Sequence, residues 1–359
     1  MAGTSRAGTG RRGRRAPVPF ALFCLLPVLA RPAAGAAPAA SPGRTVHRTP
    51  GADRLRLEYR WTDPAGATRE IGLSIPRREL EESERELGFS PAELRDFLIA
   101  AEIEIRDKLG LTAVDIARSV VAAEGDPGWC RVGDDRTSEL NFVLRTETGG
   151  QPGHEAEVRK VLRLCRKRWE ASRKRIGPAL ERKLRAYAGD HGMEVTAEGL
   201  AVDYKRLVRA SAARLRPLAE EFRRVCGPSR QRQLEAVLSF VQNIPRRAFP
   251  PLDGGRYTAG LAVPLRVLSE DAGDCDSKAV LFASLWLSLC RHRIVLVQVP
   301  EHMLVAVAAP WAEGATIELH SERLVLLELN CGPDVPPGKI SAYSADHIGG
   351  RDFRYKIVS

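Results

Sequence analysis

From Arg232 onward the chain changes its hydrophobic period in a fixed order, and that order constrains the fold more than any other feature. The segment RQLEAVLSFVQNIP carries Leu234, Val237, Leu238 and Val241 on one helical stripe. A Pro- and Gly-rich loop, RRAFPPLDGGRYTAGLAVP, follows it. The stretch AGDCDSKAVLFASLWLSLCRHRIVLVQV then opens with a cysteine between two aspartates and runs into an apolar segment where Ala279, Leu281, Leu285 and Leu287 keep helical spacing. Three β-rich runs come next: RIVLVQV, HMLVAVAA and RLVLLEL. Helix, loop, helix and then strands predicts an α+β fold.

The upstream half reads differently. RLRLEYRW alternates as a strand does, DPAG is a turn signal, and TREIGLSI can return as the partner, so a β-hairpin is expected. In SPAELRDFLIAAEIEIRDKLG, Ser90 is an N-cap, Pro91 a first-turn proline and Glu93 a capping-box partner, with Gly110 ending the helix. The segment from Asp126 to Gly153 is irregular, with one strand expected at LNFVLRT. Residues 155–187 form a basic helical stretch expected to break near Gly177 and Pro178, and a further helix covers about Asp203 to Val225. CGPSRQ then punctuates the chain. A domain boundary is placed there, between a mainly helical region with a β-hairpin (51–228) and a second domain (229–359).

The first residues have the pattern of an export signal, expected over residues 1–36. Arg6, Arg11, Arg12, Arg14 and Arg15 precede the apolar run VPFALFCLLPVLA, and small residues then offer a cleavage site near Ala36. The apolar run is too short and too Pro-broken for a membrane-spanning helix, which needs about 20 apolar residues. Residues 37–50, rich in Pro, Ala, Gly and Thr, read as a flexible leader, and the mature chain is expected in the periplasm or outside the cell.

Removing that signal changes the meaning of the charge. The formal net charge of +10 includes six arginines and no acid in residues 1–36, so the mature chain stands near +4. A general nucleic-acid binder is not implied, and the basic helix lacks interleaved aromatics. That helix, 155–187, has a face able to touch an anionic envelope polymer, although Glu155, Glu157 and Glu170 interrupt its charge and suit a solvated amphipathic helix packing Val161, Leu162, Leu164 and Trp169. Six of the seven cysteines remain after cleavage, and an exporting compartment would allow some to pair. No CxxC pair or HExxH helix marks a zinc site.

Cys275 falls at or near a helix N-terminus, where unpaired amides and the helix dipole favour the thiolate, the nucleophilic form. Asp274 and Asp276 act the other way. A thiolate mechanism needs a base held by a third group. His302 opens a strand, and Glu328 lies near the end of another, where a charge between leucines needs a partner. A lone cysteine on a helix is ordinarily a core residue, as Cys165 and Cys290 are read here. Two acids and a glycine are poor core neighbours for Cys275. His292, between Arg291 and Arg293, reads as a surface residue, and His320 with Glu322 as flanking a hairpin turn.

The blocks GDCDSKAVLFASLW, HMLVAVA and LLELN resemble the Cys, His and acidic blocks of the bacterial transglutaminase-like superfamily, a branch of the papain-like cysteine enzymes. LSFVQNIPRR resembles the helix that precedes the cysteine in bacterial members, so the resemblance spans about Gln233 to Pro336. It implies a papain-like core, with the Cys-bearing helix packed on an antiparallel sheet. It also implies a triad of Cys275 as nucleophile, His302 as base and Glu328 as orienting acid, with Asn330 the alternative third member. The oxyanion would be held by the Cys275 N–H and a second donor, for which Gln242 is the candidate. Met303 and Leu304 stand where the family often has an aromatic after the histidine. Calcium-dependent relatives carry acids just before the cysteine and two residues after it. Asp274 matches the first and Ser277 occupies the second, leaving Asp274 and Asp276 as the calcium candidates and no other cofactor implied.

Two function classes follow. One is an exported thiol hydrolase, a cysteine peptidase or amidase acting on a protein or peptide through an acyl-enzyme, with amide transfer as the same chemistry when an amine replaces water. The other is an inactive scaffold or binding module of the cell envelope that keeps the core and binds through its N-terminal helices.

Overall fold

The computed structural model describes residues 44–124, 130–132, 144–146, 155–290, 292–330, 332 and 335–359. The expected export signal with its apolar run lies outside them, as does most of the irregular segment before residue 155.

The chain enters through an antiparallel sheet of β1 (Thr45–Pro50), β2 (Arg54–Thr62) and β3 (Thr68–Pro76), in that spatial order. The expected hairpin is β2 and β3, with Leu57 opposite Leu73 and Tyr59 opposite Ile71. Period-two alternation puts Leu57, Tyr59, Trp61, Ile71, Leu73 and Ile75 on one buried face. The turn is set by Asp63, whose Oδ1 accepts from Ala65 N and Ala67 N at 3.0 and 2.8 Å.

Part of the expected leader is ordered instead. Thr45–Pro50 pairs residue for residue with Leu55–Arg60. Its side chains are mostly exposed and polar, so it shows no apolar alternation; the backbone ladder and the residue before it hold it. Arg44 buries its guanidinium on Asp271, at 2.7 Å, and on the Phe240 carbonyl at 3.1 Å, over the rings of Tyr59 and Phe240.

Next come α1 (Arg77–Arg85), α2 (Pro91–Lys108) and α3 (Ala113–Ala123). Ser90 Oγ accepts from Glu93 N and caps α2, while Gly110 takes φ +60° beyond its end. Thr112 and Asp115 form a reciprocal capping box for α3. The short strands β4 (Cys130–Val132) and β5 (Leu144–Thr146) pair with each other, the latter being the described end of LNFVLRT.

The basic stretch is one 36-residue helix, α4 (Glu155–Asp190), with Pro178 inside it. The break expected near Gly177 and Pro178 does not occur. An interior proline costs about 3 kcal/mol. However, Val161, Cys165, Ile176, Leu180, Leu184 and Ala188 are all buried on one stripe running past it, and each buried aliphatic side chain returns about 1.5–3 kcal/mol. Val161 and Cys165 pack with α3, and Ile176 and Leu180 with Ala101 and Ile105 of α2. Leu162, expected in the packed face, is exposed. The Arg106 guanidinium is buried 3.4 Å over the Trp169 ring.

The hairpin β6 (Met193–Thr196) and β7 (Gly199–Val202) leads to α5 (Tyr204–Arg214) and α6 (Arg216–Cys226). The single helix expected over 203–225 is split at Leu215 because Pro217 starts a new helix. Helix α7 (Arg230–Gln242) is capped by Ser229. Beyond it are the two-residue strands β8 (Leu252–Asp253) and β9 (Arg256–Tyr257), then α8 (Pro264–Glu270) and α9 (Cys275–Leu289).

The last region is a five-stranded antiparallel sheet. It comprises β10 (Ile294–Val299), β11 (His302–Val307), β12 (Thr316–Leu319), β13 (Glu322–Leu327) and β14 (Arg354–Ile357), ordered β12-β13-β11-β10-β14, with α10 (Ala342–Gly349) before its final strand. Along β10 and β11 the side chains alternate between two cores. Ile294, Leu296, Met303, Val305 and Val307 join the core that contains α9, and Val295, Val297, Val299, Leu304 and Ala306 join the core on the other face. Helix α9 is buried continuously from Ser277 to Trp286.

The boundary expected at CGPSRQ does not separate two cores. Tyr59, Trp61 and Phe222 from before it all pack on Phe240 from after it, with centroids 5.2 to 5.5 Å apart. The reason is that the β2–β3 face has no cover of its own and takes α6 and α7 as its second layer. The molecule is therefore α+β with antiparallel sheets throughout. Among the described residues no helix is long and apolar enough to cross a membrane.

Candidate active site at the start of helix α9

The loop into α9 is tightly built. Gly273 N donates to the Pro245 carbonyl and its own carbonyl accepts from Arg247 N, and a Cβ on Gly273 would meet Val267 and Lys278 side chains at 3.2 and 3.3 Å. Asp274 is the N-cap, its Oδ1 accepting from Ser277 N at 3.0 Å. Burial pushes its carboxyl up to about 6, opposed by the Ser277 hydrogen bonds.

Cys275 is the first residue of α9, as the sequence predicts, so its N–H is among those without an intrahelical partner. Its thiol donates to Asp276 Oδ1 at 3.1 Å, and the Tyr204 hydroxyl lies 3.4 Å from Oδ2 of the same carboxylate. Burial, then the charge and hydrogen bond of Asp276, then the charge of Asp274 push the thiol well above its ordinary value; the Met303 backbone pulls the other way. The resting sulfur is therefore a thiol. The Met303 backbone that acts on the sulfur belongs to the start of β11, one residue from His302.

His302 follows a two-residue turn, Pro300–Glu301, in which Glu301 takes φ +56° and Val299 pairs with His302. Its Nε2 is hydrogen-bonded to Oε1 of Glu328, which leaves Nδ1 as the ring nitrogen not committed to that carboxylate. Glu328, directly after β13, is 2% exposed. Its other oxygen, Oε2, accepts from Ser341 N at 3.2 Å, Ser341 Oγ at 3.3 Å and Ser344 Oγ at 3.0 Å. Burial alone would raise the Glu328 pKa, but the His302 ring, the Ser341 N–H and the Ser344 hydroxyl outweigh it and hold the carboxyl below its ordinary value.

The expected residues thus fall into two groups. His302 and Glu328 are joined directly, and Cys275 meets them through Met303 while bonded to Asp276. Asn330 does not take the third place, because the carboxylate on the ring belongs to Glu328. Gln242 stands beside the site as a brace and not as an oxyanion donor. Both hydrogens of its Nε2 go to carbonyls, Glu328 O and Val335 O, each at 2.8 Å, and its Oε1 is buried without a hydrogen-bond partner. Ser341, Ser344, Tyr204 and Met303 are the neighbours that sequence reading missed; Ser341 at the N-cap of α10 and Ser344 three residues on carried a capping signal that would have marked two of them.

The calcium candidates do not fit an ion. Calcium takes six to eight oxygens, whereas Asp274 is used as the cap and both Asp276 oxygens face the thiol and Tyr204. Among the described residues no group of three or more His, Cys, Asp or Glu is arranged to hold a metal. Among the described residues Cys226, Cys275 and Cys290 are free thiols, and the side chains of Cys130 and Cys331 lie outside the described residues. His292 is exposed, and His320 with Ser321 forms the tight β12–β13 turn at φ +51° and +65°.

Compared with protein-family models, with curated proteins and with solved structures, the chain finds no match in any of the three.

Proposed function

We propose that this chain is an exported thiol-dependent hydrolase of the transglutaminase-like, papain-like kind, acting on amide or peptide carbonyls through Cys275, His302 and Glu328. The observation that carries the reading is the buried, ionised Glu328 bound to one nitrogen of a histidine that starts the strand against which Cys275 lies. A carboxylate held that way stabilises an imidazolium and fixes the ring's tautomer.

In the proposed cycle the thiol leaves Asp276 and passes its proton to His302 Nδ1 as sulfur attacks the carbonyl carbon. The oxyanion forms at the start of α9, beside the Cys275 N–H and the positive end of the helix dipole. His302 then protonates the departing amine, leaving a thioester. Water, deprotonated by His302, attacks the thioester; the acid leaves and the thiol is restored. If an amine replaces water in the last step, the product is a new amide.

One observation favours a second reading, an inactive scaffold: the thiol is bonded to Asp276 and held protonated. An acyl-directed electrophilic probe separates the two. With the mature protein, adduct mapping by mass spectrometry is expected to find selective labelling at Cys275 that disappears in Cys275→Ala and falls sharply in His302→Ala. Labelling no faster than at Cys290 would move the assignment to the scaffold.

A further inference from the structure

We propose that Ser344, with Ser341, is a positioning residue that locks Glu328 so that its Oε1 faces His302, making the N-terminus of α10 a working part of the site. The inference rests on reading Cys275, His302 and Glu328 as the thiol hydrolase machinery described above. It goes beyond that reading in assigning a role to a helix that lies after the three blocks and outside the span that resembles a known family.

Three donors converge on a single carboxylate oxygen. Ser341 N, Ser341 Oγ and Ser344 Oγ all lie 3.0 to 3.3 Å from Glu328 Oε2. Ser344 is fully buried. The same pair also caps the helix, with Ser344 N donating to Ser341 Oγ at 3.2 Å and the two hydroxyls 3.0 Å apart. These donors restrain the carboxylate's rotation while its Oε1 stays hydrogen-bonded to the ring. The donors also keep a nearly inaccessible carboxylate ionised, which burial alone would oppose.

The same helix reaches the other member of the pair. Tyr343 donates its hydroxyl to the Pro300 carbonyl at 2.8 Å, in the turn from which His302 begins, and its ring packs on His347 one turn along α10. One short helix therefore holds both Glu328 and the strand start that carries His302. From the opposite side, Gln242 fixes the Glu328 main chain.

Removing the Ser344 hydroxyl takes one donor from Oε2, so the carboxylate is freer to turn and its Oε1 is held less firmly on the ring. The test is the hydrogen-bonded His302 ring N–H resonance by NMR in the mature protein, together with the rate of alkylation at Cys275. Ser344→Ala is expected to broaden that resonance and move it upfield, and to slow Cys275 alkylation about 10-fold at neutral pH, while Ser344→Thr, which keeps the hydroxyl, restores both. Ser341→Gly keeps the cap backbone and its N–H but loses one hydroxyl, and is expected to give a smaller change in the same direction. It serves as the second variant should Ser344→Ala fold poorly. An unchanged His302 resonance in both folded variants overturns the positioning role. Failure of the hydrolase reading looks different: wild-type Cys275 would then label no faster than Cys290, whereas the change at the His302 ring would still appear.

Discussion

Asp276→Asn gives the sharpest test of how the thiol is restrained. The carboxylate oxygen lies 3.1 Å from the sulfur. With the charge centre about 4 Å away and an effective dielectric of about 20, the repulsion of a thiolate is about 4 kcal/mol. At 1.36 kcal/mol per unit that is about 3 pKa units, and water at this partly exposed site trims it to about 2 to 3. Below both pKa values the thiolate fraction rises by that whole factor. Intrinsic nucleophilicity falls with a Brønsted slope of about 0.4–0.5, so the net gain in alkylation rate is about 10- to 60-fold. The assay is iodoacetamide alkylation of the mature protein across pH, with thiolate absorbance as a second readout. The same substitution made in a His302→Ala background should keep most of the gain, since it comes from removing a charge. An alkylation rate that stays level or falls, with an unmoved thiol pKa, would refute the argument that Asp276 holds the sulfur protonated.

Asp274 makes a pH-dependent contribution of known sign. Its folded-state pKa is raised from 3.8 to about 6, so the folded state binds the proton more tightly and stability is lost as pH rises through that range. Asp274→Asn keeps an N-cap oxygen without the titration, and its stability relative to the parent should rise by about 2 to 3 kcal/mol between pH 4 and pH 7 in urea unfolding; a constant difference would contradict it. Arg44→Met leaves the partly buried Asp271 without its partner and should cost up to about 3–5 kcal/mol, whereas Arg44→Met with Asp271→Asn should recover most of that in a double-mutant cycle. Pro178→Ala, at an exposed position inside α4, restores a helix N–H and should stabilise the protein by about 1 to 3 kcal/mol, read as a higher urea midpoint.

The parts of this molecule legible in the sequence are those where one segment carries its own signal. The switch from helical to strand period gave the α+β class, and the glycine, aspartate and cysteine before an apolar helix gave the start of α9. A histidine opening a strand and a glutamate closing another were identifiable for the same reason, and the structure joins them. Features that depend on a distant partner were not legible. Nothing in Thr45–Pro50 announces a strand, because its side chains are exposed and its hydrogen bonds belong to β2. Gly227 and Pro228 do end a helix, but whether a helix end is also a domain end depends on what covers Tyr59 and Trp61, and that cover is Phe222 and Phe240. Gln242 was singled out as an oxyanion donor, and its amide hydrogens go instead to two main-chain carbonyls 86 and 93 residues away, which were beyond any local pattern.

The anchoring of Arg44 also has a meaning in time. Its partner Asp271 is 227 residues later in the chain. At roughly 5–20 residues per second, the ribosome needs about 10 to 45 s to supply that carboxylate after it has made the arginine. Until Phe222 and Phe240 follow, late in that interval, the face bearing Leu57, Tyr59 and Trp61 lacks the rings it packs on in the finished fold. A part of this protein made early is therefore among the last to close, and its hazard during synthesis is set by elongation rate and not by the stability of the finished fold.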